Sequence, residues 1–437
     1  MIVLQIGQCG IQVGQSLFKS IESELPGNSL CYPLSKFQQI IVDTERKTWQ
    51  RHLRENSETL FPTLYVDGGS SGRGNNWAFG YADLEGHVEN VLESYRRSVE
   101  AQSSYDGCML IHSIAGGTGS GFGSRLVERL RDDYLKGYIF NSAVVPFASG
   151  ETALQHYNSL LSLSWMQRHS DFIGLFPNDM MMSSIQRQFT HYVNRGSAKT
   201  DKVSLDDLNG YLAHCLSTML LPLHAAEYKD GQIAMQLKDP TPFDGWDLIQ
   251  RMTPLPTCKL VSFASSYLSR HIENSNRSHV HVFTDWDEIT SRTIRNLGIS
   301  PPGVKRNCLS SRIYIRGAQG PDYWRRASHF TSKIQSKLGA AIDPAFCDTL
   351  VAPFHALDPK SAKKSISLCF NSTETLPYLV SLAEKCERTM KAGAYMHWYE
   401  KYVGAGHAGD AVAETQCLFD DALESLRTVI SGYQDFV

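Results

Sequence analysis

None of the ten cysteines pairs into a C-x-x-C spacing, which excludes the usual zinc and redox frameworks. No apolar run is long enough to span a bilayer. No short lysine/arginine cluster exists, and the net charge is −3, so bulk attraction to nucleic acid or to an anionic membrane is not indicated. Internal repeats and low-complexity tracts are missing too. The opening Met1-Ile2-Val3-Leu4-Gln5-Ile6 lacks the basic start and long apolar segment of a secretion signal. With scattered thiols, this predicts a cytosolic chain of reduced cysteines. Two phosphate-binding signatures are also absent. There is no G-x-x-x-x-G-K-[ST], hence no lysine of that kind, and no clean G-x-G-x-x-G after the first strand.

What is present is an ordinary globular composition, 42% apolar and 20% charged, in 437 residues, enough for two or three domains. The most informative stretch is Ala115-Gly116-Gly117-Thr118-Gly119-Ser120-Gly121. The apolar run Cys108-Met109-Leu110-Ile111 leads into it, and a helix-like segment, Phe122 to Asp133, follows. A strand feeding a glycine turn that opens a helix is a phosphate cradle. Glycine lets the backbone approach an anion, and the helix start offers free N–H groups with a favourable dipole. Thr118 and Ser120 add hydroxyl donors. A flexible Gly/Ser loop without a ligand is the plainer reading, and the flanking strand and helix argue against it. Lacking the lysine, such a cradle must neutralise phosphate with backbone N–H groups and a cation.

The first half alternates strand candidates (Ile2–Ile6, Gln39–Val42, Cys108–His112, Tyr138–Val144, Asp171–Phe176) with helix candidates (Ile11–Leu25, His87–Gln102, Phe122–Leu135, Ala153–Gln167, Asp179–Phe189). That alternation predicts a parallel sheet covered on both faces, with ligands at the carboxyl ends of the strands. Ser204, followed by Asp206 and Asp207, signals a long helix to about Leu221, stopped by Pro222. A second unit begins near Trp246, with strands at Lys259–Phe263, Val280–Phe283, Arg312–Arg316 and Ile366–Phe370, and helices at Trp286–Leu297 and Tyr323–Leu338. Leu376–Lys391 and Val412–Tyr433 read as helices; the stripe Phe419, Ala422, Leu426, Val429, Tyr433 faces a core.

Two more turns, Gly7-Gln8-Cys9-Gly10 and Gly74-Asn75-Asn76-Trp77-Ala78, accompany the glycine loop. Together with Tyr157-Asn158-Ser159 and Tyr395-Met396-His397-Trp398-Tyr399, they stand in the order and spacing of tubulins. The chain resembles the tubulin superfamily from Ile2 to about Tyr433. The resemblance implies an α/β fold with an N-terminal nucleotide-binding parallel-sheet domain (1–203), a long core helix (204–222), a second, intermediate α/β domain (223–370) and a C-terminal helical region (371–437). It also implies bound GTP or GDP with Mg²⁺. By resemblance, Gly7, Gln8 and Cys9 line the phosphates with Gln12 nearby, as does the loop Ala115, Gly116, Gly117, Thr118, Gly119, Ser120. Asp43 and Glu45 approach the γ-phosphate and hold Mg²⁺ through water, a sensible arrangement for a hard cation. Asn75 matches a γ-phosphate contact, and Glu151 an acid near the ribose. Asn178 and Asn209 match the asparagines that read guanine, an amide supplying both the acceptor and the donor that the base requires.

In tubulins hydrolysis is completed in trans by an acid of the next subunit. The matching position is Asp247, with Asp244 one helical turn earlier; a helix-start acid favoured by the dipole is the plainer reading of either. Asp is shorter than the usual Glu, and reach matters. Other departures are Ile11 for an asparagine, Leu205 for the aromatic that stacks on guanine, and Gln155-His156 for Glu-Pro. The segment Asp67–Gly74 is unusually rich in glycine and serine, and no acidic tail follows Tyr433. These features resemble the delta class most, with the zeta class a competitor. The expectation is a GTP-binding divergent tubulin of the microtubule cytoskeleton, located at centrioles, centrosomes or the basal bodies of cilia. Its partners would be other tubulins or centriolar proteins, with head-to-tail self-association and slow GTP hydrolysis. A non-hydrolysing GTP-binding adaptor is the alternative. A nicotinamide-type dehydrogenase is disfavoured for want of its fingerprint.

Overall fold

The computed structural model describes residues 1–24, 37–45, 47–48, 50, 63–67, 72–82, 86–150, 152–193, 203–221, 224–225, 228–229, 232–233, 242–266, 286–297, 307–317, 321–339, 346–352, 364–403 and 410–436. Apart from the partly exposed edge strand Thr63–Asp67, the near-continuous apolar runs become strands buried on both faces, as inner parallel strands must be. They are β1 (Ile2–Ile6), β2 (Gln38–Asp43), β3 (Thr63–Asp67), β4 (Gly107–Ser113), β5 (Tyr138–Val145) and β6 (Phe172–Pro177). Later strands are β7 (His224–Ala225), β8 (Tyr228–Lys229), β9 (Gln232–Ile233), β10 (Leu260–Ser266), β11 (Cys308–Arg316), β12 (Cys347–Ala352) and β13 (Ser365–Ser372).

Among the described residues, eleven strands form one sheet in the order β3-β2-β1-β4-β5-β6-β10-β13-β11-β12-β7, and β8 pairs only with β9. Every pairing from β3 to β10 is parallel. Beyond that, β13 runs antiparallel to both β10 and β11. The second unit therefore continues the first sheet through the β6–β10 pairing and differs from it in strand direction. Because β1 pairs with β2 on one side and β4 on the other, the chain order reverses there. Such a switch point opens a crevice beyond the carboxyl ends of β1 and β4.

Alternate residues of one strand feed different layers. Val3 packs with Val13 and Leu17 of the helix Gly7–Glu24 and with Leu212 and Leu216 of the core helix Leu205–Leu220. Ile2 and Leu4 instead join Val91 of the helix His87–Glu100 and Leu126 of the helix Gly123–Asp133. The C-terminal helices Leu376–Lys391, His397–Val403 and Ala411–Gln434 cover the helix Gln155–His169, and the stripe from Phe419 to Tyr433 is buried as its spacing predicts.

Ser204 caps the core helix as expected. Its Oγ accepts from Asp207 N at 3.2 Å, and Asp207 Oδ2 accepts from Ser204 N at 2.8 Å, a reciprocal capping box. Among the described residues, the sequence reading missed β3, β12, the two-residue strands β7, β8 and β9, which lie in or beside a stretch read as a polar loop (225–245), and the short helices Trp77–Ala82 and His397–Val403. Both short helices lie within stretches read only as turn or motif. The strand expected at 280–283 lies outside the described residues.

Candidate functional site

At the switch point the first glycine turn and the glycine loop meet. Gly7 has φ +70°, a conformation glycine adopts freely, and a Cβ there would sit 3.3 Å from Gly119 N. The helix expected to begin near Ile11 begins at Gly7 itself, so Gln8 and Cys9 occupy its first turn, Gln8 exposed and Cys9 and Gln12 half-buried. After β4, Ala115 N donates to Ser113 Oγ at 3.2 Å, and residues Thr118–Phe122 form a π turn before the α-helix. The sequence reading anticipated a regular helix start; five-residue turns of this kind recur at functional sites. Ser120 differs from expectation as well. Its hydroxyl is spent within the loop, donating to Gly116 O. Thr118 Oγ1 lies 2.7 Å from Thr44 Oγ1, which ties the loop after β2 to the glycine loop.

That tie brings Asp43 and Glu45 to the cradle. Asp43 is 3% exposed; its Oδ1 accepts from Glu45 N at 3.2 Å, while its Oδ2 has no hydrogen-bond partner among the described residues. Burial pushes its pKa up to about 6, against the lowering effect of backbone N–H donors. A buried carboxylate with one oxygen unmatched is a donor set that fits a hard cation. Glu45 stands next to it, its carboxylate packed against Gly72. No group of three or more metal-ligating side chains occurs among the described residues. One or two carboxylates plus phosphate oxygens is the usual Mg²⁺ arrangement, so these residues fit that ion.

The third turn packs on the glycine loop. Gly121 has no room for a side chain, because a Cβ would fall on the Trp77 carbonyl oxygen. Asn75 is exposed with φ +50°, within reach of Gly116, where a Cβ would lie 3.9 Å from Asn75 Oδ1. Asn76, the next residue of the turn, faces the other way. Its Nδ2 donates to Trp398 O at 2.9 Å.

One residue whose role the sequence reading missed holds this assembly. Asn158, fully buried in the helix Gln155–His169, donates through Nδ2 to Asn75 O and to Ala115 O, both at 2.7 Å. Its Oδ1 accepts from Trp77 N at 2.9 Å and from Tyr399 OH at 2.8 Å. The amide thus joins two cradle loops and a C-terminal helix. An asparagine in the first turn of a helix buried nearly all round was the available signal, since such a group must be satisfied. His112, buried on β4 below the loop, pairs with Asn141 Oδ1 at 3.0 Å, and burial lowers its pKa.

Leu205 and Asn209 occupy the first turns of the core helix, Leu205 63% exposed. Ser20 near the end of the first helix lies 3.4 Å from Ser217 near the end of the core helix. The two helices therefore run alongside each other, which sets Leu205 and Gly7 at the same end. Asn178, 9% exposed, begins its helix directly after β6 at the same carboxyl edge. Gln155 Nε2 donates to Phe147 O at 3.2 Å. Glu151 lies outside the described residues.

Asp244 and Asp247 stand elsewhere. They open the helix Gly245–Met252, and Gly245 and Trp246 pack on Tyr138, the first residue of β5, with Trp246 and Tyr138 ring centroids 5.9 Å apart. This is the amino edge of the sheet, whereas the glycine loop follows the carboxyl end of neighbouring β4. At about 3.3 Å per residue a strand of this length separates the edges by roughly 20 Å. The acids also line a cavity of about 710 Å³ with Met219 and Leu221, at the far end of the core helix from Leu205. Asp244 is the N-cap: its Oδ1 accepts from Trp246 N at 2.9 Å and Asp247 N at 3.1 Å. Asp247 is bonded to Arg251 and to Arg312, the latter a buried arginine of β11 that the sequence reading named only as part of a strand.

Residues 1–186 match the family described as Tubulin/FtsZ family, GTPase domain. Over 99% of its length the chain is 28% identical to the tubulin delta chains of Macaca fascicularis and Homo sapiens, 99% of each being covered. It is also 24% identical to beta-Tubulin at 65B of Drosophila melanogaster, over 99% of this chain and 91% of that one. Among the described residues no helix is long and apolar enough to cross a membrane.

Proposed function

We propose that this delta-like member of the tubulin family, a GTP-binding cytoskeletal protein, is a structural or assembly component of centrioles or basal bodies that joins its neighbours head to tail. The single observation that carries the reading is the separation of two half-sites in one chain. The cradle lies at the carboxyl edge of the sheet, and Asp244 and Asp247 lie at the amino edge beside Tyr138. No single copy joins them; a second copy, or another tubulin stacked in the same direction, does. Unlike patches meeting in this way form a heterologous contact that propagates as a filament.

In this reading Gly7, Gln8, Cys9, Gln12, Asn75 and the loop Ala115–Ser120 hold the phosphates through backbone donors. Asn178, Asn209 and the apolar face of Leu205 hold guanine, and Glu151 the ribose. Asp43 and Glu45 hold Mg²⁺, which when bound offsets phosphate charge that no lysine neutralises. Asp247 of the next subunit orients a water. The water's oxygen bonds to the γ-phosphorus as the bond from that phosphorus to the bridging β-phosphate oxygen breaks, that electron pair leaving on GDP and the water's proton passing to the Asp247 carboxylate. Asp244 sets the position of Asp247 by capping its helix. The domains follow as 1–203, 204–222, 223–370 and 371–437.

The non-hydrolysing adaptor is favoured by one observation, the commitment of both Asp247 oxygens to arginines. Two measurements decide. Purified protein should carry GTP or GDP at about one per chain; ATP in its place would refute the base-reading asparagines. GTP turnover per molecule should rise with protein concentration and disappear in Asp247→Ala, whereas retained GTP without turnover at any concentration would make the adaptor reading correct.

A further inference from the structure

Neither oxygen of Asp247 is uncommitted. Oδ1 accepts from Arg251 Nε at 2.8 Å, and Oδ2 from Arg312 Nη2 at 2.7 Å. Arg312 also donates to Asp348, from Nε at 2.8 Å and from Nη2 at 2.7 Å. Asp348 is its register partner across β11 and β12, and lies 3.7 Å from Arg251. Two guanidiniums and two carboxylates thus neutralise one another. Among the described residues, the remaining acid of the cavity, Asp244, is spent on the helix cap, and the core-helix side contributes only Met219 and Leu221.

The two arginines are not equivalent. The side chain of Arg312 is 6% exposed and braced on Asp348, whereas that of Arg251 is 41% exposed and reaches back one turn along its own helix. Exposed pairs of the second kind contribute little and are easily exchanged. A phosphate brought by a neighbour is a strong competitor for a guanidinium. We propose that Arg251 and Arg312 latch Asp247, and that docking of a nucleotide-bearing neighbour draws Arg251 away and frees Oδ1 for the water. The two arginines are positioning residues, and the proposal rests on the reading that Asp247 works in trans. Burial alone would raise the Asp247 pKa, but the hydrogen bonds from Arg251 and Arg312 outweigh it and hold the acid below its usual range. A carboxylate so held is a poor proton acceptor, so turnover is expected to be slow while the latch is closed.

The test uses the full chain loaded with GTP, and compares wild type with Arg251→Gln, Arg312→Lys and Arg251→Gln/Asp247→Asn. The latch predicts that Arg251→Gln raises the concentration-dependent rate on the order of tenfold. It predicts a smaller rise in Arg312→Lys, which keeps a charge beside Asp348, and loss of the gain in the double variant. The acid limb of the pH–rate profile should also move upward in Arg251→Gln, a change that simple loss of packing would not produce. An unchanged or lower rate in Arg251→Gln overturns the latch, a fall meaning that Arg251 itself serves the phosphates. Failure of the trans reading looks different: rates in every variant would be independent of concentration, and adding Asp247→Asn to Arg251→Gln would change nothing.

Discussion

The two edges of the sheet are built on different principles. At the carboxyl edge the cradle is fixed by backbone contacts and neutral hydrogen bonds. Gly121 lies against Trp77, Gly7 against Gly119, and the four bonds of Asn158 close the assembly. At the amino edge a short helix is held by a cap and by ion pairs, with Trp246 45% exposed beside them. Packed backbone cannot shift without cost, whereas exposed ion pairs exchange partners readily. A rigid cradle and a releasable acid suit a site assembled from two molecules.

Breaking the cradle should have the largest effect. Gly121→Ala forces a methyl onto a carbonyl oxygen and is expected to cost more than about 3 kcal/mol, with loss of bound nucleotide, measured by urea unfolding and by nucleotide release. Asn158→Ala leaves two carbonyls, a backbone N–H and a tyrosine hydroxyl seeking partners, and should cost about 2 to 3 kcal/mol while weakening GTP binding. The matching change at the other edge is Asp244→Ala. Loss of that cap should cost about 1 kcal/mol and leave GTP affinity unchanged by calorimetry. Equal damage to GTP binding from both edges would contradict the contrast.

The smallest effect concerns pH. The folded pKa of His112 lies below its ordinary 6.5 because the ring is buried. Above that pH the ring is neutral in both folded and unfolded chains, so it contributes no pH dependence. As pH falls from there toward the folded value, the unfolded chain takes up a proton that the folded one refuses, and stability declines. His112→Gln should flatten this decline, seen in melting temperatures between pH 7 and pH 5.

Much of the carboxyl edge was legible from sequence, because parallel strands and glycine turns announce themselves locally. Continuous apolar runs marked β1, β4, β5 and β6, and Ser204 with Asp207 marked the core helix. What stayed hidden depends on contacts distant in sequence. The role of Asn158 emerges only when residues 75, 115 and 399 are brought around it, and the helix Trp77–Ala82 was masked by the turn residues preceding it. Asp247 was legible as an acid at a helix start. That it would face Arg312 and Asp348, 65 and 101 positions later, is a consequence of sheet order, which no local pattern encodes.

The central claim is that cradle and acid serve each other only between molecules, and mixing two variants tests it most directly. Asp247→Ala keeps the cradle and loses the acid; Asp43→Asn keeps the acid and impairs the cradle. Turnover of GTP in an equimolar mixture should exceed the mean of the two proteins measured separately, because Asp43→Asn supplies the missing acid to intact cradles. A mixture that turns over GTP at that mean would contradict the account.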